Sequence, residues 1–264
     1  MFFLESLFIF IFGIIVGSFL NVLILRYNTG LSFAKGRSKC FSCSKTLSSM
    51  ELIPLFSFLF LKGRCLSCKS KISIQYPLIE FITGVVFVFV FWKLGISFLT
   101  ILYLFVFSLL IVIFVYDLKH KIIPDALVWI FNVISLLILF DRLGFNNILN
   151  QSNHLELLSG PILFSFFAFF WVISSGKWMG FGDAKLALGV GWLLGFSGGV
   201  LAILLAFWTG AIWSLFAMGF NKLNIFKNKL TIKSEIPFAP FIILGLLIVF
   251  ATGWNLTNLF YLLG

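Results

Sequence analysis

Apolar residues in this chain neither alternate nor recur at the spacing of an amphipathic helix; they run on in blocks. Predominantly apolar stretches occupy 6–25, 77–92, 96–116, 124–140, 157–175, 183–196, 199–220 and 237–254. A helix crosses a bilayer with about 20 apolar residues, roughly 17 to 25. The pattern predicts an all-α polytopic membrane protein with about eight transmembrane helices. One polar interruption, 26–75, is long enough to be a small domain. The chain thus divides into a first transmembrane helix (1–25), a polar domain (26–75) and a transmembrane domain (76–264). No internal repeat is evident. The first stretch lacks a basic start, carries Glu5 and has no small-residue cleavage site before Arg26, so it reads as a retained helix, not a secretory signal.

Composition strengthens the membrane reading. Of 264 residues, 61% are hydrophobic and 11% charged, and Phe occurs 37 times, whereas a soluble domain is usually near half apolar and a quarter charged. The formal net charge of +10 is then a topology signal and not a nucleic-acid footprint, because Lys and Arg collect on the cytoplasmic side of membrane proteins. Eight crossings place all but Lys93 and Arg142 of the 19 Lys and Arg on one side. That side becomes cytoplasmic, with both termini outside. The lysines at 222–233 join it only if 183–220 is split near Gly195, Gly198 and Gly199.

Two acids stand out, because ionisable groups at membrane spans are costly and mark function. Asp117 ends the third span and shares its segment with Asp125, which follows Pro124. Asp183 opens the short sixth span within Gly180-Phe-Gly182-Asp183-Ala-Lys185. That span, at about 1.5 Å per residue, covers about 21 Å of a hydrocarbon core near 30 Å, so Asp183 lies at or just inside the membrane surface. The topology puts both acids on the cytoplasmic side. Neighbouring carboxyls share one proton and divide base and acid roles, a pairing suited to peptide hydrolysis. The plain alternative is that each caps a helix end.

Cys40-x2-Cys43 and Cys65-x2-Cys68 hold all four cysteines. Cytoplasmic disulfides are unusual, and paired CxxC elements suit one structural Zn²⁺ with four thiolate ligands. The fold expectation therefore includes a small cytoplasmic zinc-binding loop domain.

The Asp at the end of one span and the Gly-x-Gly-Asp opening another resemble the GxGD membrane aspartic proteases. Asp117-x5-Ile-Pro-Asp125 and Gly180-Phe-Gly-Asp183-x-Lys185-Leu resemble the two catalytic segments of type IV prepilin peptidases. Gly17-Ser-Phe-Leu-Asn21-Val with Arg26, Tyr76-Pro-Leu-x-Glu80, and Ile236-Pro-Phe-Ala-Pro-Phe241 match other segments of that family in order. The resemblance spans nearly the whole chain. It implies catalytic Asp117 and Asp183, with Asp125 the rival for the first role, and with Gly180, Gly182, Asp125 and Lys185 in the active-site loops. It implies prepilins or pseudopilins as protein substrates, cut after a short basic leader at the cytoplasmic face of the inner (plasma) membrane. The partners are thus prepilins and membrane lipid, with no nucleic acid. Family members with this cysteine loop also N-methylate the new terminus with S-adenosylmethionine, so Asn21, Arg26 and Glu80 become candidates for that second site. A proton-coupled transporter using the paired aspartates is the alternative from another class, and a zinc-dependent scaffold without catalysis is a third.

Overall fold

The computed structural model describes residues 2–144, 153–221, 236–256 and 258; the lysines at 222, 227, 229 and 233 lie outside them. Among the described residues there are eight α-helices: α1 (Phe2–Arg26), α2 (Phe56–Phe60), α3 (Gln75–Leu94), α4 (Phe98–His120), α5 (Asp125–Leu143), α6 (His154–Ser174), α7 (Phe181–Asn221) and α8 (Ala239–Thr252). No strand forms among them, and only two isolated β-bridges occur. Six helices, α1 and α3 to α7, are long and apolar enough to cross a membrane, as the block pattern leads one to expect.

The 41-residue α7 would measure about 60 Å if straight, twice the hydrocarbon core. Its backbone leaves helical geometry at Gly195 (φ 77°, ψ 177°). This is the break anticipated from the run of glycines. Counting each arm of α7 and the 14-residue α8 gives eight apolar arms.

Packing divides the chain into two compact units, Met1–Val112 and Ile113–Gly264. In the first, α1 lies along α3. Their approach depends on Gly13 and Gly17: a Cβ at either would come within 2.7 Å of α3 backbone, at Gly84 and Glu80. Small residues four apart let membrane helices pack backbone to backbone. Between these helices the four-cysteine segment folds as two knuckles of the same design. Cys40 N–H donates to Lys45 and Cys65 N–H to Ser70, at 2.9 Å each, and the outer pairs Leu47 to Ser38 and Ile72 to Gly63 close both. Residues 39–46 and 64–71 are thus a short structural repeat, a correction to the expectation of none.

In the second unit α5, α6 and α8 pack against α7. The break at Gly195 is filled by charge. The Arg142 guanidinium donates to the carbonyls of Leu193 (3.3 Å) and Trp192 (3.4 Å) and pairs with Glu156 at 3.5 Å. Glu156 rests where a Cβ on Gly195 would sit. A cation thus meets the carbonyl end of the first arm and an acid sits at the start of the second, as the helix dipoles favour.

Candidate functional site

Asp117 lies in the last turn of α4 and is 4% exposed; Asp183 lies in the first turn of α7 and is 6% exposed. Both belong to the second unit, and their carboxyl groups are near enough to interact electrostatically. Three local features bring them there. The α4–α5 turn reverses the chain, with Lys121 at φ 55° and Pro124 capping α5. Gly182 lets the start of α7 close on that turn, since a Cβ there would come 2.9 Å from Ile123 Cβ. The third feature is the start of α8, whose Ala239 N–H interacts with the Asp117 carboxyl. Pro237 and Pro240 flank it without N–H groups of their own. The Gly180 amide interacts with the Asp183 carboxyl. Asp117 Oδ2 has no hydrogen-bond partner among the described residues. A buried acceptor left open is uncommon and suits a group that must receive something else, such as a water.

Asp125 is placed differently. Its side chain is 66% exposed and pairs with Lys185 Nζ at 2.7 Å. Lys185 also sits 5.1 Å over the Phe181 ring, and its carbonyl accepts from Asn132 at 3.1 Å. The Asp125–Lys185 pair therefore ties the start of α5 to the start of α7, two residues beyond Asp183.

The remaining candidates lie in the first unit. Asn21, 1% exposed, donates to the carbonyls of Tyr76 (3.1 Å) and Gly17 (3.3 Å). Arg26 spends its guanidinium on the carbonyls of Ser32 (2.6 Å), Lys35 (3.2 Å) and Arg37 (3.5 Å). Glu80, 6% exposed, accepts the Leu55 N–H at 2.7 Å and interacts with the Ser18 hydroxyl. All three hold the chain between α1 and α3.

The four Cys sulfurs lie within 4.8 Å of one another, with Cys40 and Cys68 at 3.8 Å, and none is in a disulfide. A Zn–S distance of about 2.3 Å implies a tetrahedral edge of about 3.8 Å, so the donor set fits one metal ion. Knuckle amides and Ser70 favour the thiolate at Cys40 and Cys68. Cys40 is drawn down to about 6 by the amides of Cys43 and Ser42, then by Ser70. Cys68 falls below the ordinary range through the Ser70 hydroxyl and amide. Cys43 is lowered by the Lys45 amide but raised more by Cys68, burial and Cys40, reaching about 11. Three functional-looking features escaped the sequence: the Ala239 amide, the Glu80–Leu55 bond and the Arg142–Glu156 pair. A Pro-Phe-Ala-Pro helix start was a signal for the first. The other two had none, since they join residues far apart in the chain.

Known proteins are similar to this chain over nearly its whole length. Residues 11–94 match the bacterial peptidase A24 N-terminal domain and residues 104–215 the type IV leader peptidase family. A Bacillus subtilis protein named prepilin leader peptidase/N-methyltransferase is 31% identical over 253 residues, covering 96% of each chain. A protein of that name from Aeromonas salmonicida is 30% identical over 95% of this chain and 91% of its own. One from Neisseria gonorrhoeae is 32% identical over 71% of this chain and 73% of its own. No solved structure matches.

Proposed function

The chain belongs to the type IV leader peptidase family, and from that premise we propose that it is an inner-membrane aspartic endopeptidase that removes the basic leader of type IV prepilins or pseudopilins. The reading is carried by two buried carboxyl groups, Asp117 and Asp183, at the ends of apolar helices and near enough to interact electrostatically. They hold one proton between them. The ionised member takes a proton from a water, whose oxygen attacks the scissile carbonyl; the protonated member delivers its proton to the leaving amine. The open Oδ2 of Asp117 receives the water. Gly180 and Gly182 leave backbone room for an extended substrate. Asp125 and Lys185 position Asp183 without joining the proton transfers.

The basic side of the chain is cytoplasmic, which puts the pair where a leader is still accessible. Cys40, Cys43, Cys65 and Cys68 hold a structural Zn²⁺, since four protein ligands leave no place for a water. Segment 26–75 is then a metal-stabilised module that precedes the peptidase region 76–264 in the chain. The relatives' name motivates a second activity, N-methylation of the new terminus. S-Adenosylmethionine would supply a methyl group to the free amine, and Asn21, Arg26 and Glu80 shape the unit in which that occurs.

Co-expression with a pilin-like precursor tests the peptidase. Asp117→Asn and Asp183→Asn should each slow leader removal by about 100-fold or more, while Asp125→Asn should slow it only a few-fold. Normal processing by either of the first two variants refutes the assignment. The mass of the mature N-terminus tests methylation separately.

A further inference from the structure

The four-cysteine module carries an apolar face that nothing in its own unit covers. In α2, Phe56, Leu59 and Phe60 are 56%, 70% and 83% exposed. Their spacing of three and four residues puts them on one side of the helix. Phe58 turns the other way, against Gly63. Just upstream, Met50 and Ile53 are 81% and 47% exposed. A soluble loop domain would not leave such a cluster in water.

Its position and charge say what covers it. The Leu55 N–H, at the start of α2, is bonded to Glu80, in the second turn of α3. Leu55 is held at φ 62° in doing so. That bond fixes α2 at the level where α3 enters the bilayer, beside the exposed Leu78, Phe81 and Ile82 of α3. Residues 26–75 contain nine Lys and Arg against a single acid, Glu51, which is itself taken up by Ser48 and Lys45. Lys62 and Arg64, directly after α2, are exposed. An apolar helical face rimmed by cations is the chemistry of a helix lying in an anionic lipid surface.

We propose that α2 and the preceding turn dock onto the anionic lipid surface of the membrane that α1 and α3 cross, laying the four-cysteine module against it. Glu80 is the clamp that sets the depth of α2. The full chain is purified and placed in nanodiscs of phosphatidylcholine alone or mixed with phosphatidylglycerol, with p-benzoylphenylalanine replacing Phe60. Irradiation should yield lipid adducts at that position, enriched about twofold or more by the anionic lipid. The same label replacing Phe58 should react within the module. In a second measurement, Phe60→Asp combined with Leu59→Asp should speed amide exchange across residues 52–61 in anionic nanodiscs, with the metal content unchanged. The proposal is overturned if position 60 cross-links to its own chain, to a second copy or to an added precursor instead of lipid. It is equally overturned if adduct yield and exchange ignore lipid charge.

Discussion

Two buried carboxylic acids near the ends of apolar helices, Glu80 in the first unit and Asp117 in the second, are treated in opposite ways. Glu80 accepts the Leu55 amide at 2.7 Å, and its neighbours Asn21 and Thr83 are also bonded to backbone carbonyls. Asp117 is as well buried, 4% against 6% exposed, yet its Oδ2 has no partner among the described residues. Leaving a buried acceptor unmatched costs about 1–3 kcal/mol, so Asp117 keeps in reserve a bonding capacity that Glu80 has committed to Leu55. Under the proposed function, the difference separates an acid that organises structure from one that binds and reacts.

The sharpest way to break the comparison is to neutralise each acid in turn. Asp117→Asn and Asp183→Asn should abolish leader cleavage, by about 100-fold or more, and leave thermal stability in detergent nearly unchanged. Glu80→Ala should do the reverse. It orphans the Leu55 amide and should cost about 1–3 kcal/mol, read as faster proteolysis between residues 50 and 62, with cleavage activity retained. If Glu80→Ala destroys cleavage as thoroughly as Asp183→Asn, the contrast is false.

Metal removal sharpens the same contrast from the other side. The module has only one fully buried cysteine, Cys65, and little apolar interior, so under the proposed zinc site its order should depend on the ion. Stripping with a strong chelator, or Cys65→Ser, should expose residues 38–72 to protease while α1 and α3 stay helical by circular dichroism. Persistent protection without metal would show that the knuckle hydrogen bonds suffice alone.

The sequence made some of this plain and hid the rest for physical reasons. Apolar blocks name the crossing helices, because the bilayer demands long uncharged runs. Gly195 betrays the break in α7, because no single crossing needs 41 residues. Asp117 and Asp183 announce themselves as acids where acids are costly. The contacts that give those acids their setting are not local. Ala239 reaches Asp117 from the far end of the chain, and Leu55 reaches Glu80 across 25 residues, so neither leaves a spacing to read. Arg142 is, with Lys93, one of two exceptions to the charge asymmetry; paired with Glu156 at the broken helix, it is part of the structure of α7. The knuckle repeat is half visible, because Cys-x-Ser-Cys recurs at 40–43 and 65–68, while the backbone bonds that extend it on either side leave no shared side chains.

The smallest expected effect falls on the pair between these extremes. Asp125 is 66% exposed and Lys185 15%, so one end of the bridge is solvated, and exposed pairs contribute about 0.2–1 kcal/mol. Lys185→Met keeps the aliphatic stem near Phe181 and removes the charge. Stability should fall by no more than about 1 kcal/mol. Leader cleavage should drop only a few-fold, through looser placement of Asp183, and Lys185→Arg should recover part of it. Asp125→Asn should match Lys185→Met, because each removes the same bridge, and combining them should add little. A loss as deep as that of Asp183→Asn would instead put Lys185 among the reacting groups, and the line drawn between structural and reactive charges in the second unit would have to move to include it.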